Sequence, residues 1–269
     1  MPVISDWNDA YANRSHIPDG DTYPSRWTGL ARAFRAQCPR LETAIAYGPA
    51  EREKLDLFRP AATPKGLFVF IHGGYWMLFD KSVWSHLARG ALERGWAVAM
   101  PGYTLAPALR IPAITHQVSA AISHAAGLVD GPICLSGHSA GGHLASRMVC
   151  TDSTLPPQVQ ARIRTVLSIS GVHDLRPLLK TDMNQTLQLD QATARAESPA
   201  LLEPLPGKHL TCWVGADERP EFIRQNALLA NVWTGLGADT QVVEEAGKHH
   251  FSVIEGLGEP DSPLLAMLD

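Results

Sequence analysis

Between residues 132 and 150 the chain passes from the apolar strand pattern Pro-Ile-Cys-Leu-Ser, through Gly137-His138-Ser139-Ala140-Gly141, into a helical pattern. No other stretch constrains the fold as tightly. A strand that turns into a helix around one serine brings two backbones close together, so the residues two before and two after it must be small. Both are glycine. A buried strand that feeds straight into a helix is also the repeating unit of a parallel sheet.

The rest of the chain repeats that unit. Continuous apolar runs such as Gly66-Leu-Phe-Val-Phe-Ile71 suit strands buried on both faces. Strands are expected at 43–47, 54–59, 66–71, 96–100, 132–136, 164–170, 209–214 and 240–244. Helices are expected at 26–36, 82–93, 112–126, 140–150 and 220–235 from their apolar spacing. The fold class is therefore α/β, a mostly parallel central sheet with helices on both faces. The 269 residues read as a single domain. Residues 1–40 form an N-terminal extension rich in aromatics, and 172–206 form a short cap-like insertion. Active sites of such sheets lie at the carboxyl ends of the strands.

Several classes of function are excluded. Lys and Arg number 23 against 27 Asp and Glu, a net charge of −4, which gives no footprint for nucleic acid. Cys38, Cys134, Cys150 and Cys212 have no metal-ligand spacing. HExxH, EF-hand and phosphate-loop patterns are missing, so neither a metal nor a cofactor is expected. The start, MPVISDWNDAY, lacks a secretory pattern, and the apolar runs are too short to span a bilayer. The expectation is a cytoplasmic protein with no membrane partner.

The chemistry centres on Ser139. Its turn lifts Oγ above the sheet and leaves the Ala140 N–H at a helix start, where it can receive an oxyanion. His72-Gly73-Gly74-Tyr75-Trp76 follows the run ending at Ile71. Its N–H groups at Gly74 and Tyr75 complete the oxyanion hole, with Gly73 an alternative for either. His72 is read as a brace for that loop. A serine needs a base. His250, beyond the last expected strand, is chosen over its neighbour His249 because Phe251 can anchor the loop. The acid should follow a strand between Ser139 and His250. Asp217 is chosen, Glu218 is the adjacent alternative, and Asp174 is a weaker rival better explained as a cap.

With His-Gly-Gly-Tyr-Trp, Gly-His-Ser-Ala-Gly, Asp217 and His250 in that order, the chain resembles the α/β-hydrolase superfamily from about residue 40 to 258. The aromatic pair after His-Gly-Gly is similar to the kynurenine formamidase (arylformamidase) branch, and Tyr75 departs from the His-Gly-Gly-Gly of lipase-like esterases. Residues 11–18, Tyr-Ala-Asn-Arg-Ser-His-Ile-Pro, resemble the N-termini of formamidase-like hydrolases. The resemblance implies an α/β-hydrolase fold and a Ser-Asp-His serine hydrolase of small acyl amides or esters, foremost an aryl formamide. A short-chain carboxylesterase or thioesterase is the alternative, and a non-catalytic ligand-binding homologue a remote one. Tyr75, Trp76 and His138 are the expected substrate contacts, although Trp76 fits the core equally well. Arg219 is a candidate for the charged end of a substrate. The expected partner is a small molecule, and a homodimer is allowed.

Overall fold

The apolar runs become the middle of one sheet because a strand without polar residues can only be accommodated with both faces covered. The structure, a computed structural model, describes residues 4–269. Its strands are β1 (Leu41–Ala46), β2 (Lys54–Phe58), β3 (Leu67–Ile71), β4 (Ala97–Pro101), β5 (Ile133–His138), β6 (Ile163–Ile169), β7 (His209–Gly215) and β8 (Asp239–Glu245). They lie in the order β1-β2-β4-β3-β5-β6-β7-β8. β2 is antiparallel to both of its neighbours, and every pair from β4 to β8 is parallel. Four longer helices cover the sheet: α1 (Tyr23–Gln37), α2 (Ile111–Leu128), α3 (Ala140–Arg147) and α4 (Pro220–Gly235). This is the α/β-hydrolase arrangement.

Alternate residues of β3 enter opposite cores. Leu67, Val69 and Ile71 pack on the side of Ile114, Val118 and Leu144. Phe68 and Phe70 pack with Trp84, Leu87 and Trp96 on the other. The central strands β3, β4 and β5 are buried throughout, whereas the edge strands β1 and β8 are largely exposed.

Two expected helices differ. Over 82–93 the chain forms a 3-10 run, Lys81–Ala88, and only then a short α-helix, Arg89–Glu93. Three residues per turn stacks Trp84 over Leu87, and both are buried. The helix expected over 140–150 ends at Arg147. Beyond it Leu205 N–H donates to the Val149 carbonyl and Thr151 N–H to that of Glu203, which draws the chain out of helical geometry.

β3 lies between β4 and β5, so the chain leaves it first to one side and later to the other. The crevice at the carboxyl ends of β3 and β5 is the switch point of the sheet. His72 follows β3 there and Ser139 follows β5. Residues 4–22 contain a four-residue helix, Trp7–Ala10, and two 3-10 turns, Arg14–His16 and Gly20–Thr22. Among the described residues no helix is long and apolar enough to cross a membrane.

Candidate active site

Ser139 sits between β5 and α3 at φ 57°, ψ −118°, a conformation that non-glycine residues rarely adopt. Such strain persists only where the surroundings over-determine it. Here they do so by contact. A Cβ at Gly137 would lie 2.1 Å from the Gly141 carbonyl oxygen, and one at Gly141 would lie 1.9 Å from that of Ile71. The Ser139 N–H is tied to the Ile169 carbonyl at 2.8 Å. Ala140 is the first residue of α3, so its N–H has no acceptor within the helix.

The loop after β3 rests on that turn. A Cβ at Gly73 would come within 2.6 Å of the His138 carbonyl oxygen and 3.0 Å of Ser139 Cβ. Three successive residues, Gly74, Tyr75 and Trp76, then have positive φ, at 108°, 51° and 58°. The His72 ring stacks on Tyr103 with centroids 4.4 Å apart, and its Nδ1–H donates to the Gly73 carbonyl. Burial pushes its pKa down to about 4, so it is neutral at pH 7.

His250 is buried, and its Nδ1–H donates to a carboxylate at 2.6 Å. That tautomer leaves Nε2 as the acceptor. The carboxylate belongs to Glu218, and the choice of Asp217 is corrected. Asp217 is exposed in the turn after β7 and its side chain does not reach His250. Glu218 folds back over the strand end, where its other oxygen accepts the Gly215 N–H at 2.9 Å and the Ser170 hydroxyl. One more residue of turn and one more methylene bring the carboxylate inward. His249 accepts the N–H groups of Phe251 and Ser252 on Nδ1, and its Nε2 meets the Tyr23 hydroxyl at 3.2 Å. Both nitrogens are thereby committed to shaping the loop that carries His250. Asp174 is paired with Arg176 and accepts that residue's N–H.

Ser139 and His250 open into one cleft of about 610 Å³. Trp27, Phe79, Trp84 and Phe251 give it an aromatic wall, and Tyr75 and His138 also line it. His138 is committed as well: its Nε2–H donates to the His250 carbonyl at 2.9 Å, and the two rings lie 4.6 Å apart. Burial, then the neighbouring His250, holds its pKa well below the usual histidine value. Trp76 as a substrate contact is corrected. Its side chain is fully buried and meets the His143 ring edge-on at 5.1 Å, beneath the cleft. The turn that points Tyr75 into the cleft points the next side chain into the core. Arg219, the candidate for a charged substrate end, is engaged by Asp9 and by His16.

The remaining cleft wall comes from residues to which the sequence reading gave no role in the site. Asn8, Tyr11, Ala12, Asn13, Arg14, Ser15 and Asp21 contribute from the N-terminal segment, against Asp182 and Met183 from 172–206. Two signals pointed there: the polar, aromatic composition of the first 40 residues, and the resemblance of residues 11–18 to the N-termini of formamidase-like hydrolases. A second depression, about 800 Å³, lies at the amino ends of β5 and β6 around Asp130, Arg162 and Arg164. Its cysteine, Cys134, is no nucleophile at neutral pH, because burial pushes the thiol up to about 11.

Comparison with known proteins bears on the family and the fold. The sequence model of the BD-FAE family matches residues 55–209. A kynurenine formamidase of Salmo salar is 30% identical over 95% of this chain and 87% of its own length. One from Danio rerio is 28% identical over 98% of each chain. A solved structure described as a "putative thioesterase", from Silicibacter sp. TM1040, is 50% identical, with a TM-score of 0.93 over 97% of this chain and 98% of that one.

Proposed function

The chain belongs to the BD-FAE family of α/β-hydrolases, and from that premise we propose a serine hydrolase of small acyl amides and esters, foremost an aryl formamidase. One observation carries the reading: a buried Glu218–His250 pair opens, through the free Nε2, into the same aromatic cleft as a serine on a strained strand-to-helix turn.

Ser139 Oγ attacks the carbonyl carbon while His250 Nε2 takes its proton. Glu218 holds the imidazole in that tautomer and stabilises the imidazolium. The N–H groups of Ala140, Gly74 and Tyr75 receive the oxyanion. When the intermediate collapses, the C–N or C–O bond breaks and His250 returns the proton to the leaving amine or alcohol. Water, deprotonated by the same nitrogen, then attacks the acyl-enzyme; the C–Oγ bond breaks, His250 returns the proton to Ser139 Oγ, and the acid is released. No residue in these steps needs a cofactor.

Support for an aryl formamide comes from the cleft. Its aromatic wall suits a flat leaving group, and its rim carries Arg14, Asp21 and Asp182, charges that can face an amino-acid end. The formamidase relatives favour the same substrate class. A thioester reading is favoured by the half-identical structure described as a thioesterase. The test compares kcat/KM for N-formyl-L-kynurenine, p-nitrophenyl acetate and butyrate, and p-nitrothiophenyl acetate. The formamide should lead. A negligible formamide rate, with ester rates rising from acetate to butyrate or with the thioester leading, rejects the formamidase reading and leaves the hydrolase.

A further inference from the structure

The loop that carries the Gly74 and Tyr75 N–H groups is strained, with non-glycine residues at positive φ at both Tyr75 and Trp76. A strained loop holds its geometry only through anchors. On the Trp76 side the anchors are the core packing of the ring and the Ala106 N–H, which donates to the Trp76 carbonyl at 2.8 Å. On the Tyr75 side the polar anchor lies outside the sheet. The Tyr75 hydroxyl donates to the Tyr11 carbonyl at 2.5 Å and accepts from Asn13 Nδ2 at 3.3 Å.

Tyr11 is itself fixed from the opposite flank of the site. Its ring is buried and meets Phe222 edge-on at 5.8 Å, and Phe222 packs on the His250 ring at 4.5 Å. Its hydroxyl donates to Glu221 Oε1 at 2.8 Å and accepts from Gln225 Nε2 at 3.0 Å. One residue of the N-terminal segment thus connects the loop after β3 with α4, which begins two residues after Glu218.

We propose that the N-terminal segment is a positioning part of the active site: the Tyr75 hydroxyl, held on the Tyr11 carbonyl, fixes the loop whose N–H groups receive the oxyanion. The inference rests on the serine hydrolase reading above. Tyr75 and Tyr11 act here through the loop, as positioning residues. Loss of the clamp should therefore weaken transition-state binding and leave ground-state binding nearly unchanged.

The test is Tyr75→Phe, which keeps the half-buried ring and removes the hydroxyl, with Tyr11→Phe as the second variant and Ser139→Ala as the control for the reading itself. Each is assayed for kcat and KM with p-nitrophenyl acetate and N-formyl-L-kynurenine. Affinity for an aryl trifluoromethyl ketone, whose hemiketal oxygen uses the same donors, is measured alongside. In Tyr75→Phe, kcat should fall about ten- to a hundredfold at nearly constant KM, as expected when reacting groups are misplaced by a fraction of an ångström. Ketone affinity should fall in parallel. Tyr11→Phe should show the same pattern more weakly, and it decides the matter if Tyr75→Phe does not fold. Wild-type kcat and ketone affinity in the folded variants overturn the inference. Wild-type turnover in Ser139→Ala overturns instead the reading on which it stands.

Discussion

Two regions line the same cleft by different physics. The turn from β5 into α3 is held by close contact: glycines at 137 and 141 with no room for a Cβ, and main-chain hydrogen bonds to β6. The N-terminal segment, residues 4–22, is held by side chains: Tyr11 on Glu221 and Gln225, Asp9 on Arg219, Asn8 on Asp182. Contact by backbone tolerates almost no change. Tethers by side chain can be altered one at a time. The first region should fix whether chemistry occurs, and the second should tune it.

The largest expected effect tests the first half of that contrast. Ser139→Ala should lose on the order of a millionfold in kcat while remaining folded by circular dichroism. Near-wild-type turnover would remove the nucleophile from the turn. Next, Glu218→Gln should cost on the order of ten-thousandfold in kcat, because the amide no longer favours the required tautomer. Asp217→Asn should stay close to wild type. The reverse ranking would return the acid to Asp217 and require the turn after β7 to rearrange.

Gly141→Ala should destabilise the protein by about 3 kcal/mol or more, since a Cβ would overlap the Ile71 carbonyl and neither backbone can yield. The midpoint of urea unfolding measures it. An alanine accepted at no cost would mean that contact does not define the turn.

Acid should strain the sheet side first. Burial pushes the pKa of His72 to about 4 and those of His143 and His173 to about 3. Unfolded histidine binds a proton near pH 6.5, so the unfolded state is protonated first as pH falls. Stability from these sites is present above about pH 6.5 and is lost as pH falls to their folded values of about 4 and about 3, roughly 2 kcal/mol per site by pH 5. His143→Gln keeps a donor for the Glu197 carbonyl and should flatten the fall in urea midpoint between pH 7 and 5. An unchanged fall would place the acid sensitivity elsewhere. Asp9 behaves oppositely: the His16 hydrogen bond and the Arg219 charge lower its pKa. Its tether is present above the ordinary carboxylate range and is lost only below it.

The smallest effect belongs to the second region. Asp9→Asn removes an exposed ion pair, and such pairs contribute little. The unfolding midpoint should remain near wild type while KM for the aromatic substrate rises modestly. A large loss of kcat at unchanged KM would mean that the outer tether, too, governs the oxyanion loop.

The sheet and the turn at Ser139 could be read from the order of residues alone. Buried strands read as unbroken apolar runs, and a turn with no room for a side chain demands glycine at fixed offsets, so both constraints are local. The sequence could place a carboxylate after β7 but could not choose between Asp217 and Glu218. That choice depends on which side chain folds back over the strand end, and both lie in the same turn. Nor could spacing show that Trp76 enters the core while Tyr75 faces the cleft, because three successive positive φ angles break the alternation that sequence reading assumes. The N-terminal wall was hidden for a related reason. Tyr11 meets Glu221 and Gln225 across 210 and 214 positions of chain, and a hydrogen bond between residues so far apart leaves no periodicity in either segment. What closes over the crevice was settled by folding, which brings the ends of β3, β5 and β7 together and lays the N-terminal segment across them.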